Sequence, residues 1–348
     1  MNTQKKWAMI TGVTIMIVSI VVALGLYHHQ QESEKRKQQR EKVQINNPNV
    51  KLFQNITYNN HLPKSQLDIM MPNDVDKDTQ LPVIFWMHGG GYVAGDKQYK
   101  NPLLSQIVEQ GYVVVNVNYA LAPNYKYPTP LIQFDDAIQF IKHNKDRFPI
   151  DLNQVIIGGD SAGAQLTSQY VAMQTNSTLR NEMGFEQRFT PSQIKGAIFF
   201  GGFYDMKTVR ETEFPRIQMF MHSYTGAAYW ETDFKNISQM STINQVTKDY
   251  PSTYLSVGDA DPFYSQNIEF YRKLKEANIP VSTLFYDGSH HLHHQYQFHL
   301  DKPESKENMK RVLAFLSRNT SSSGVEQNYQ SPFDGSTGSD SHFSLSPY

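Results

Sequence analysis

Gly159-Asp160-Ser161-Ala162-Gly163 sets a serine between two glycines, in the pattern G-x-S-x-G. A serine hydroxyl attacks a carbonyl only when a general base takes its proton. A carboxylate must then orient that base, and N–H donors must receive the charge of the tetrahedral intermediate. The chain offers a candidate for each part. Upstream, His88-Gly89-Gly90-Gly91-Tyr92 has three consecutive glycines, whose main-chain N–H groups can approach a ligand without interference from a Cβ. Gly90 and Gly91 are the expected oxyanion donors, joined by the N–H of Ala162 at the start of the helix that follows the serine. His88 is expected to hold this loop rather than act as a base. Downstream, Gly258-Asp259-Ala260-Asp261-Pro262 supplies two aspartates, either of which could instead cap a helix. A histidine-rich stretch follows, with His290, His291, His293 and His294. The order serine, acid, histidine is the order that a nucleophile elbow on an α/β sheet requires.

These residues need a scaffold that brings distant segments together, and the middle of the chain reads as one. Apolar runs rich in β-branched and aromatic residues occur at 81–87 (LPVIFWM), 112–119, 155–158, 196–200, 254–257 and 280–286. Uninterrupted runs of this kind suit strands covered on both faces. Between them, residues 131–144, 162–174, 264–278 and 306–318 carry apolar residues at helical spacing. The alternation predicts a doubly wound, mostly parallel sheet with helices on both sides, and ligands beyond the C-terminal strand ends. The serine, glycine-loop, acid and histidine segments each fall just after a predicted strand.

Taken together, the HGGG loop, Tyr119-Ala120-Leu121-Ala122-Pro123, GDSAG, GDADP and the terminal histidine loop resemble the hormone-sensitive-lipase-like esterases and related bacterial carboxylesterases. The resemblance is collinear over residues 81–316. It implies the α/β-hydrolase fold and hydrolysis of carboxylic esters by a Ser161, Asp261 and histidine triad without a cofactor. The acid role carries over to Asp261 because it directly precedes a proline. For the base, a short G-x-x-H reading points to His291. A likeness of Leu292-His293-His294-Gln295-Tyr296-Gln297-Phe298 to the L-P-H-E-Y-Q-F of some bacterial relatives points to His294, the preferred assignment. Ala120 departs from the family's usual Y-R-L-A-P, and His293 and Gln295 depart from the histidine motif. The same chemistry could also cleave an amide or peptide, or deacetylate a polysaccharide, and a hydrolase-like domain can be a binding module.

Composition bounds these readings. With 39% apolar residues in 348, the chain can bury a sizeable core. A net charge of −1 argues against a nucleic-acid partner. The absence of cysteine removes disulfides, thiolate metal sites and cysteine nucleophiles. Adjacent loop histidines seldom converge on one ion, so no metal is expected.

The ends differ from the middle. Residues 1–6 form a short flank with Lys5 and Lys6, and residues 7–27 form an uncharged, mostly apolar run. As a helix this run rises about 30 Å, enough to cross a bilayer, and it reads as a membrane anchor, with a cleaved signal sequence as the alternative. Residues 28–49 read as a polar stalk and 50–318 as the hydrolase domain, with a lid-like insertion at 203–249. Residues 319–348 read as a disordered tail. An extracellular catalytic domain is expected, or a secreted one if the run is cleaved. The substrate is expected to be a small-molecule ester.

Overall fold

The computed structural model describes residues 47–321 except Lys77, together with Gln31 and Ile45. The expected span at 7–27, nearly all of the stalk and the tail beyond residue 321 lie outside the described residues. Among those described, no helix is long and apolar enough to cross a membrane.

Eight strands form one sheet: β1 (Val50–Thr57), β2 (Gln66–Pro72), β3 (Leu81–Met87), β4 (Val113–Val117), β5 (Ile150–Asp160), β6 (Ile194–Phe200), β7 (Thr253–Val257) and β8 (Val281–Phe285). Their order is β1-β2-β4-β3-β5-β6-β7-β8. The β1/β2 and β2/β4 pairs are antiparallel, and every other pair is parallel. All of β3, β4 and β7 is buried, as their unbroken apolar runs require. Each fully buried Val, Ile or Phe there contributes roughly 1.5–3 kcal/mol, set against its loss of conformational freedom.

The helices used below are α1 (Asn101–Val108), α2 (Thr129–His143), α3 (Ala162–Thr175), α4 (Ser177–Met183), α5 (Ile217–Thr225), α6 (Trp230–Asp233), α7 (Ile237–Met240), α8 (Tyr264–Glu276) and α9 (Pro303–Asn319). Two apolar clusters lie on opposite faces of the sheet. Val83, Phe85 and Met87 of β3 point into one, while Ile84 and Trp86 point into the other, beside Leu104 of α1 and Phe315 of α9. This alternation is the period of two imposed by a strand.

Every residue of α3 is buried, including its glutamines. Some of its polar groups are answered by the insertion: Gln165 donates to the Met240 carbonyl at 3.0 Å, and Ser168 pairs with Thr242 at 2.9 Å. The insertion between β6 and β7 is therefore clasped to the helix that starts at Ser161. Of the aromatic residues and methionines of this insertion, expected to be lid-like, Phe214, Met219 and Phe220 line a cleft, while Met221 and Trp230 are buried in the core and Tyr229 is exposed. α9 ends at Asn319, one residue beyond the expected domain limit, and Thr320 still bonds to Tyr112 at 3.0 Å.

Candidate active site

Five segments beyond the C-terminal ends of β3, β5, β6, β7 and β8 converge on one cleft of about 440 Å³. Ser161 lies between β5 and α3 with φ 53° and ψ −122°. Its N–H donates to the Phe200 carbonyl at 2.8 Å, which ties the turn to β6. A non-glycine residue in this backbone region is strained, and the strain persists only where the surroundings fix it.

His294 reaches the serine. Its Nε2 lies 2.9 Å from Ser161 Oγ, and its Nδ1 lies 2.7 Å from Asp261 Oδ2. With a carboxylate at Nδ1, that nitrogen carries the proton and Nε2 is left to accept one. The Asp261 side chain is fully buried and its other oxygen accepts the Phe263 N–H at 2.9 Å. The edges and faces of Phe214 and Phe263 meet the His294 ring at centroid distances of 4.8 and 5.4 Å. These rings confine the imidazole.

The structure separates the remaining candidates. His291 is exposed, with a positive φ, and its ring is hydrogen-bonded to neither Ser161 nor Asp261. Asp259 caps no helix. Its carboxylate accepts the N–H groups of His290 at 2.9 Å and Leu292 at 2.6 Å, tying the loop after β7 to the loop after β8. Partial burial raises the affinity of this carboxyl for protons, but the loop N–H groups outweigh that and hold it below the usual aspartate range. The donor atoms of Asp259, Asp287 and His290 lie within 4.8 Å of one another, close enough to share a cation. Both Asp259 oxygens, however, are already taken by the loop.

The glycine loop after β3 lines the same cleft. Gly90 (φ +118°) and Gly91 (φ +59°) both require glycine: a Cβ would stand 2.1 Å from the Ala94 carbonyl oxygen at the first and 2.6 Å from the Phe220 ring at the second. Among the described residues, no acceptor takes the N–H of Gly90, Gly91 or Ala162. Ala162 is the first residue of α3, where helix N–H groups lack partners within the helix. Free N–H groups beside a nucleophilic oxygen are what a developing oxyanion needs.

His88 stands behind this loop. It is fully buried, stacked on Tyr119 at 4.4 Å, and its Nδ1–H donates to the Gly89 carbonyl at 2.7 Å. Its Nε2 has no partner, so protonation there would leave a buried N–H unsatisfied. Burial pushes its pKa down to about 4, and the ring stays neutral.

Sequence reasoning missed one part of the site. Asp160, the residue before the serine, is buried and accepts from Trp86 Nε1 at 3.1 Å, the Gly89 N–H at 3.0 Å and Lys100 Nζ at 2.7 Å. Lys100 Nζ also lies 3.8 Å from the centre of the Phe298 ring, four residues beyond His294. Asp160 occupies the free position of G-x-S-x-G, so only its charge beside the serine could have drawn notice. Nothing in the sequence marks Lys100.

A family model described as BD-FAE matches residues 67–274, more than half of the chain. Among curated proteins, the chain is 26% identical over 207 residues to LipM of Mycobacterium tuberculosis, which is named a probable carboxylic ester hydrolase. That match covers 59% of this chain and 47% of LipM. It is 25% identical over 233 residues to esterase LipQ of the same organism, covering 66% of this chain and 54% of LipQ. The chain thus spans about half the length of these relatives. Among solved structures, esterase B of Lactobacillus rhamnosis superposes with a TM-score of 0.70 at 21% identity, over 84% of this chain and 93% of that one. That likeness shows the α/β-hydrolase fold.

Proposed function

The chain belongs to the BD-FAE family, and on that premise we propose that it hydrolyses carboxylic esters through an acyl-enzyme on Ser161. One observation carries the reading: a single imidazole, His294, lies 2.9 Å from the serine oxygen on one side and 2.7 Å from a buried carboxylate on the other. In the acylation step Ser161 Oγ attacks the ester carbonyl carbon while its proton passes to His294 Nε2. The carbonyl oxygen takes the negative charge and is received by the N–H groups of Gly90, Gly91 and Ala162. Asp261 stabilises the imidazolium. The proton then moves to the departing alkoxide, the C–O bond breaks, and an acyl-serine remains. Water, deprotonated by the same imidazole, releases the acid and restores the serine.

The cleft walls favour an apolar substrate portion, since Phe203, Phe214, Ile217, Phe220 and Phe263 line it. The test is turnover of p-nitrophenyl butyrate together with labelling by a fluorophosphonate. The wild type is expected to do both, and Ser161→Ala to do neither while keeping its circular dichroism spectrum. Turnover retained in Ser161→Ala would sink the reading.

The length and apolar character of residues 7–27 support a membrane anchor, and the Lys5-Lys6 start, which resembles an export signal, favours a hydrolase domain outside the cell against the five basic residues at 35–42. Retention of the full chain in the membrane fraction after alkaline carbonate washing, with the domain open to added protease on intact cells, is the expected outcome. Release by the wash, or protection from protease, would overturn it.

A further inference from the structure

Asp160 poses an electrostatic problem to the proposed reaction. Its carboxylate is buried, directly precedes the nucleophile in the chain, and belongs to the lining of the same cleft. Asp160 Oδ2 holds the Gly89 N–H, and so fixes the root of the glycine loop. A bare negative charge at that place would repel the oxyanion that Gly90, Gly91 and Ala162 are meant to receive, because charges in a poorly hydrated site are weakly screened. The loop therefore gains its anchor from a group whose charge opposes the reaction.

Lys100 answers that charge. Its Nζ lies 2.7 Å from the same Oδ2 that holds Gly89, and its side chain is only 15% exposed. The main chain of Lys100 is fixed as the N-cap of α1, with its carbonyl accepting from Leu103 and Leu104. On its other side the ammonium sits 3.8 Å from the centre of the Phe298 ring, in the segment that continues from His294. One cation thus touches the carboxylate next to the nucleophile and a ring just beyond the base, and it too lines the cleft. We propose that Lys100 is a positioning residue for acyl transfer: it neutralises Asp160 so that this carboxylate can brace the oxyanion loop without opposing the oxyanion.

This inference rests on the esterase reading, and the experiment separates the two. Lys100→Gln keeps a hydrogen-bond donor for Asp160 and removes the charge, whereas Lys100→Arg keeps the charge. With active sites counted by fluorophosphonate titration, Lys100→Gln is expected to lower kcat for p-nitrophenyl butyrate by about ten- to a hundredfold, with KM within about threefold. Lys100→Arg is expected to restore most of that loss. A purely structural lysine would instead lower the fraction of titratable sites and leave kcat per site intact. Equal kcat per site in Lys100→Gln and wild type would overturn the inference and leave the esterase reading standing, as would a loss in Lys100→Arg as large as in Lys100→Gln. A wild type that neither turns over the ester nor reacts with the probe would overturn both. If Lys100→Gln does not fold, Lys100→Met carries the same comparison.

Discussion

The carboxylate of Asp259 meets the main-chain N–H of Leu292 at 2.6 Å, and two residues further on Asp261 meets the His294 ring at 2.7 Å. Neighbouring aspartates on one loop thus hold different parts of the next loop: the first fixes the backbone that carries His294, the proposed base, and the second orients its ring. Asp261→Asn is therefore expected to lower kcat by about four orders of magnitude, because the amide favours the wrong imidazole tautomer. Asp259→Ala should cost far less in kcat and show itself in a lower Tm. Steady-state kinetics on p-nitrophenyl butyrate and thermal denaturation of both variants check the contrast; equal losses of kcat would contradict it.

The two candidate bases differ in the same way. His294→Ala is expected to reduce kcat by roughly a millionfold, the scale seen when a triad histidine is removed from an enzyme of this chemistry. His291→Ala, on an exposed ring, should keep kcat within about twofold. A dead His291→Ala enzyme beside an active His294→Ala enzyme would exchange the roles.

Gly91 and Phe220 should behave as a coupled pair. A methyl group at Gly91 would press on the Phe220 ring at 2.6 Å and hold a residue with a side chain at φ +59°. Gly91→Ala is expected to lower kcat by about a hundredfold through displacement of an oxyanion donor. Adding Phe220→Ala should recover about tenfold of it, while the backbone cost of about 1 kcal/mol remains. A double-mutant cycle on kcat/KM reads the coupling, and strict additivity would count against it.

His88 gives the fold a pH dependence of definite sign. Its pKa falls from 6.5 in the unfolded chain to about 4 in the folded one, so between those values the unfolded state binds the extra proton. Stability should therefore decline as the pH falls through 6.5 and level off near 4, by roughly 3 kcal/mol in all from this residue. Urea titrations across that range measure it. In His88→Gln the corresponding part of the slope should disappear.

What could be read from the sequence follows from burial. Strands β3, β4, β6 and β7 and the second half of β5 announced themselves because a strand covered on both faces must be apolar throughout, and LPVIFWM permits no other reading as a strand; β8, a partly buried edge strand, showed through its β-branched and aromatic residues. β1 and β2 did not. They form the antiparallel edge, where Lys51 and Gln54 are exposed, and buried Asp68 interrupts the apolar run. Asp68 is admissible there because Lys97, itself buried, reaches it at 2.9 Å from a distant segment. α1 was missed because eight residues opening with Asn-Pro carry little periodic signal. That Gly90, Gly91, Ser161 and Asp261 come together was legible because the chemistry expected of them demands particular residue types at particular strand ends. The choice between His291 and His294 turned on flanking letters, whereas the distance to Ser161 depends on how the Asp259 clasp folds the loop. The Asp160 and Lys100 pair was beyond reach, since an ion pair between separate loops leaves no periodic trace.

Ser161 sits at φ 53° and ψ −122°, a backbone state in which glycine is at ease and a residue with a Cβ is not. If folding were the sole criterion, glycine would be the better occupant of position 161, and the inactive Ser161→Gly protein should melt above the wild type. The proposed nucleophile is thus a point of frustration, where the residue that the proposed chemistry requires and the residue that the turn prefers are different amino acids.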